Sequence, residues 1–223
     1  MKPTRTSAST YIPGGSTLAL QEHNGQYYLR INGTTLMSTT AFASEQELAR
    51  IACEKLKNTS ARIFVGGLGF GFTLRQVLEL VARAAQVEVA ELVPEIVEWN
   101  RAYLQDVNGK SLDDPRVKLF QKDAFEVIKN SRQVGYDAIL LDVDNSPDAL
   151  VQSGNARLYS RAGIAAIRNA LRPGGRVVFW SANPDAAFEN LLRQVFRRTE
   201  SVPARAYPSA KRPTHTILVA DRE

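Results

Sequence analysis

A chain of 223 residues, 44% hydrophobic and 23% charged, is long enough for one full α/β domain with a small appendage. It holds no run of about 18 apolar residues, and Met1-Lys2-Pro3-Thr4-Arg5 leads into polar residues, which predicts a soluble, cytoplasmic protein with no membrane span and no secretory leader. The single cysteine, Cys53, allows neither an intrachain disulfide nor a cysteine metal cluster, and the net charge of +5 comes from scattered Lys and Arg without interleaved aromatics, a solvated face and not a nucleic-acid groove.

Residues 1–12 are rich in Thr, Ser, Pro and Gly and are predicted to be mobile. Three short strands follow: Thr17-Leu18-Ala19-Leu20-Gln21, Gln26-Tyr27-Tyr28-Leu29-Arg30-Ile31 and Thr35-Leu36-Met37-Ser38. Asn24-Gly25 and Asn32-Gly33 separate them and favour the positive backbone angles of tight hairpins, so residues 13–42 read as a β-meander. Ser44 with Glu47 three residues on resembles a capping box, and Leu48, Ile51, Ala52 and Leu56 recur at helical spacing, with Cys53 among them as a small core residue. Compact apolar runs at 61–65, 87–92, 117–120, 138–142 and 176–181 then alternate with helical stretches beginning near Thr73, Pro94, Ala124 and Ser160. That alternation predicts a mostly parallel sheet with helices on both faces over residues 43–223. A late strand is expected around His215, read as a packed or half-exposed strand residue and not as a general base.

The chemistry gathers at the strand ends. Val65-Gly66-Gly67-Leu68-Gly69-Phe70-Gly71 sets Gly67, Gly69 and Gly71 where the first parallel strand turns into a helix, so the backbone could approach a nucleoside closely. Phe72 stands where a dinucleotide fingerprint needs its third glycine, which favours the S-adenosylmethionine-binding class over a nicotinamide enzyme. A tight crossing without a ligand is the plainer alternative. Glu91 ends the next strand, where an acid can accept both ribose hydroxyls, or simply start a helix. Asp123-Ala124 follows the third strand, where an adenine amino group would need an acceptor, although Asp before a helix is a common cap. Asp142 closes the fourth strand, at the edge where open parallel sheets bind ligands.

These segments, with Tyr136-Asp137-Ala138-Ile139-Leu140-Leu141-Asp142, Leu158-Tyr159-Ser160, Pro173-Gly174-Gly175 and Ala206-Tyr207-Pro208-Ser209, resemble the spermidine synthase family in order and spacing. The resemblance implies a Rossmann-like methyltransferase fold with a mostly parallel seven-stranded sheet behind a β-meander, and a homodimer. It further implies an aminopropyl or related alkyl transfer from decarboxylated S-adenosylmethionine or S-adenosylmethionine to a small amine acceptor, without a metal. On that reading Glu91 holds ribose, Asp123 and Ala124 hold adenine, Asp142 is catalytic, and Asp144, Asn145 and Tyr207 lie at the substrate or on a lid over 143–156. The chain departs from the family at Gly69, Leu36, Ala43-Ser44-Glu45, Asn145 and Lys211-Arg212-Pro213, positions that would read the donor tail and the acceptor. A methyltransferase using the intact donor, and a binding protein without catalysis, stand as alternatives.

Overall fold

The computed structural model describes residues 3–12, 15–131, 135–143 and 156–223. Four strands, β1 (Arg5–Tyr11), β2 (Thr17–His23), β3 (Gln26–Ile31) and β4 (Thr34–Ser38), form an antiparallel sheet in chain order. Asn24 and Gly25 have φ of 52° and 79°, and Asn32 and Gly33 have 46° and 84°, the doubly positive angles of a two-residue hairpin whose twist matches its strands. The expectation of a mobile end over 1–12 is corrected: residues 5–11 pair with β2. Their Thr and Ser content suits a strand as well as a coil, and the hydrogen bonds to β2 decide between them. Alternation buries Leu18, Leu20, Leu29 and Ile31 on the inner face, where they join the main core.

Beyond the meander come α1 (Ala43–Cys53), β5 (Arg62–Gly66), α2 (Phe72–Leu80), β6 (Gln86–Ala90), α3 (Pro94–Ala102) and α4 (Gln105–Asn108). They lead to β7 (Val117–Phe120), α5 (Ala124–Asn130), β8 (Tyr136–Leu141), α6 (Arg161–Ala170), β9 (Leu171–Ser181), α7 (Ala186–Val195), β10 (Arg198–Ala204) and β11 (His215–Asp221). Pro94 at the first turn of α3 and the Ser160 and Asp185 side-chain caps of α6 and α7 fix three helix starts. The expected capping box is not formed. Helix α1 begins at Ala43, so Ser44 sits inside its first turn and donates to Glu45 Oε2 at 2.6 Å, while Glu47 pairs with Arg50.

The second sheet has the order β10-β11-β9-β8-β5-β6-β7, parallel from β9 to β7, with β10 and β11 antiparallel. Period-two alternation splits its side chains between two cores. Ile63, Val65, Ala138 and Leu140 face the meander, α1, α2 and α3, whereas Phe64, Ile139 and Leu141 face α5, α6 and α7. Each such buried Val, Leu, Ile or Phe side chain contributes roughly 1.5–3 kcal/mol. In the middle of β6, Glu88 accepts from Arg62 Nη2 at 2.6 Å and from the Tyr136 hydroxyl, which belong to the first residues of β5 and β8. Chain order reverses between β5 and β8, the switch point at which open sheets leave a crevice. Among the described residues no helix is long and apolar enough to cross a membrane.

Candidate active site

The glycine turn exists to let backbones meet. Gly67 has φ of +91°, and a Cβ there would lie 2.2 Å from the Asp142 carbonyl oxygen. The two strand ends can therefore touch only if residue 67 lacks a side chain. Asp142 N–H donates to the Gly66 carbonyl at 2.9 Å, which locks β8's end beside the turn. Gly69, at φ of +50°, faces the thioether of Met37 from β4, so the meander closes over the turn directly. Gly71, at φ of +83°, is the N-cap of α2.

Two buried carboxylates flank the turn. Glu91 accepts the Leu68 amide at 3.0 Å on Oε2 and the Val93 amide at 2.9 Å on Oε1. The Leu92 and Gly69 amides also act on this carboxylate, so a ligand hydroxyl would share its lone pairs with the turn. Burial raises its pKa more than the amides lower it. Asp142 accepts the Thr73 hydroxyl at 2.6 Å, and burial raises its pKa to about 6. Glu45, from the first turn of α1, is pushed up to about 8, first by burial and then by the Asp142 charge. Like charges held together without water do not both ionise, so near neutral pH the pair carries about one negative charge.

A cavity of about 440 Å³ joins these groups. The meander contributes Leu18, Leu29, Leu36 and Met37 to its wall; Gly67, Gly69, Ala124 and the three carboxylates form the opposite side. Trp180, at the end of β9, and His215, at the start of β11, complete the rim with ring centroids 4.9 Å apart. Burial lowers the His215 pKa, outweighing the carbonyls of Ala182 and Thr214.

The site thus gathers Gly67, Gly69, Glu91, Ala124 and Asp142. Asp123 is not among the residues lining the cavity; one carboxylate oxygen accepts the Glu126 amide at 3.1 Å as the cap of α5, and the other pairs with Arg157 at 3.2 Å. Tyr207 is 46% exposed and lies outside the cavity lining; its neighbour Ala206 is the buried residue, and its carbonyl accepts the Ala43 amide. Asp144 and Asn145, and nearly all of the segment 143–156 read as a lid, fall outside the described residues. Sequence reasoning missed Glu45 as a partner of Asp142. The signal was present: an acid three residues before Leu48 lies on the apolar stripe of α1, where a solvated charge does not belong. His215, read as a strand residue, also reaches the cavity.

Residues 41–211 match a family model described as the spermine/spermidine synthase domain. The polyamine aminopropyltransferase 1 of Streptomyces coelicolor is 33% identical over 131 residues, which are 58% of this chain and 24% of that protein. The polyamine aminopropyltransferase of Aeropyrum pernix is 27% identical over 154 residues, 66% of this chain and 47% of that protein. The aligned segments thus span between about a quarter and a half of these relatives. Among solved structures, the spermidine synthase from Thermotoga maritima superposes with a TM-score of 0.78 at 20% identity, covering 98% of this chain and 73% of that one. A spermidine synthase in complex with the transition state analogue AdoDATO gives 0.77 at 19% identity, with the same coverage. At such identities the likeness concerns the fold.

Proposed function

The chain belongs to the spermine/spermidine synthase family, and from that premise we propose that it moves an aminopropyl or related alkyl group from an adenosyl sulfonium donor to an amine. One observation carries the reading: Glu91 and Asp142 end the strands on either side of the Gly67 turn and line one cavity. We take the donor to be decarboxylated S-adenosylmethionine, a reading supported by membership of the family. Glu91 faces the cavity where ribose hydroxyls would lie, and Ala90 and Ala124 line it beside the place for adenine.

The reaction is a displacement at the carbon next to sulfur: a C–N bond forms, the C–S bond breaks, and the electron pair leaves on the thioether. The donor brings its own leaving group, so the chain must align the amine and exclude water. An ammonium has no lone pair to attack with. Asp142, ionised near neutral pH, takes the proton, while protonated Glu45 donates a hydrogen bond and limits the local charge. Asp144, Asn145 and Tyr207 are read as neighbours of the acceptor on the family resemblance alone. We further read the protein as a cytoplasmic homodimer, to be tested by light scattering at micromolar concentration.

A methyltransferase reading has one observation in its favour: Met37 packs on Gly69, so no carboxylate stands there to repel the intact donor's own. Calorimetric titration with the decarboxylated and intact donors side by side separates the two. Tighter binding of the decarboxylated form, with release of methylthioadenosine in the presence of an amine, supports alkyl transfer. Preference for the intact donor overturns it.

A further inference from the structure

This inference rests on the nucleoside and amine reading above and concerns the chemistry of the acceptor. Strand pairing sets the cavity's groups in a row along the carboxyl edge: Glu91 beyond β6, Gly67 beyond β5, Asp142 beyond β8, Trp180 on β9 and His215 on β11. The register fixes the last three. Leu141 pairs with Phe179, so Asp142 lies beside Trp180; Thr216 pairs with Ser181, so His215 lies beside Ala182. With a nucleoside over β5 and β6, the acceptor must run from Asp142 across β9 to β11, two strand spacings or roughly 10 Å.

The two ends of that run differ in character. Among the described residues the carboxylates lining the cavity are Glu45, Glu91 and Asp142, and Glu45 sits against Asp142, so the acidic groups all lie at or before the reacting amine. The far end is a pair of rings, Trp180 and His215, beside Ala182. Burial disfavours the charged form of His215 more than the Ala182 and Thr214 carbonyls favour it. A second ammonium placed there would lose its hydration with no carboxylate of the described residues in exchange, a loss that a ring's attraction for cations covers only in part. An apolar or aromatic body would stack on the rings at no such cost.

We propose that the acceptor is a monoamine, its single ammonium at Asp142 and Glu45 and its uncharged, preferably aromatic, body on the Trp180–His215 platform. Trp180 and His215 are then the specificity-determining residues of the acceptor end.

The test is calorimetric titration of the full chain, saturated with methylthioadenosine, with phenethylamine and with 1,4-diaminobutane. The wild type is expected to bind phenethylamine about tenfold or more tightly than the diamine, and Trp180→Ala or His215→Ala to cut that preference to within about threefold of unity. His215→Phe, which keeps a ring, is expected to retain it, and it decides the question if either alanine variant fails to fold. Equal or tighter binding of the diamine by the wild type overturns the inference while leaving the nucleoside reading intact. A preference surviving both alanine changes also overturns it. If methylthioadenosine itself does not bind, the functional reading falls and the inference with it.

Discussion

At the scale of single residues, three carboxylates divide the work by their surroundings. Glu91 is held by backbone amides of the turn and lines the cavity, so Glu91→Ala should weaken methylthioadenosine binding by about 1–3 kcal/mol, measured calorimetrically. Asp142→Asn keeps shape and removes the proton acceptor; turnover should fall by about 10²–10⁴ while methylthioadenosine affinity changes little. Unreduced turnover in that variant would move the proton to another group. Glu45 makes a separate prediction about stability. Its folded pKa of about 8 lies above the ordinary 4.5, so the folded chain binds that proton more tightly than the unfolded chain does. The stability this confers is complete below about pH 4.5 and is lost as pH rises through about 8. The melting temperature should therefore fall between about pH 5 and about pH 8, and Glu45→Gln should flatten most of that fall.

At the scale of elements, the turn between β5 and α2 is the piece most constrained by geometry. Gly67→Ala meets two costs: about 1–2 kcal/mol for an L-residue at positive φ, and overlap of its Cβ with the Asp142 carbonyl 2.2 Å away. Denaturant titration should show a loss of more than about 2 kcal/mol, with the Asp142 end of β8 displaced and nucleoside binding weakened together. This turn was legible in the sequence because its signal is local: the glycines, the preceding apolar run and the helix are contiguous. Asp142 and Glu91 were legible for the same reason, each ending a compact strand. What the sequence hid arises between distant segments. The approach of Glu45 to Asp142 requires α1 to dock against the end of β8, and the closure of Met37 over Gly69 requires the meander to fold back on β5. Strand β1 was hidden by composition, since Thr and Ser satisfy a coil and a strand alike until β2 supplies the hydrogen bonds. Ser44 misled in the other direction: the spacing to Glu47 was right, but the helix starts two residues earlier than a Ser44 cap would have it and turns the hydroxyl toward Glu45.

At the scale of the molecule, the meander and the parallel sheet share both a core and a cavity. Leu18, Leu20, Leu29 and Ile31 belong to one buried cluster with Ile63, Val65 and Val87, and Leu18 and Leu29 also line the cavity wall opposite Glu91. The meander's one apolar face is covered by the sheet domain and would be exposed without it, so its folding should be tied to that of the sheet domain. A nucleoside in the cavity then stabilises both at once. At about 100 times its dissociation constant a ligand adds ~2.7 kcal/mol. For a chain of this length each kcal/mol corresponds to roughly 2–4 °C, so scanning calorimetry with methylthioadenosine should show one transition moving up by about 5–10 °C. Two transitions, of which only one moves, would mean that the meander folds by itself and that its hydrophobic contacts with the sheet domain do not couple the two. A single transition that moves as a whole, in the wild type but not in Glu91→Ala, would tie the coupling to the ligand's ribose end and to the closure of Leu18, Leu29 and Met37 over it.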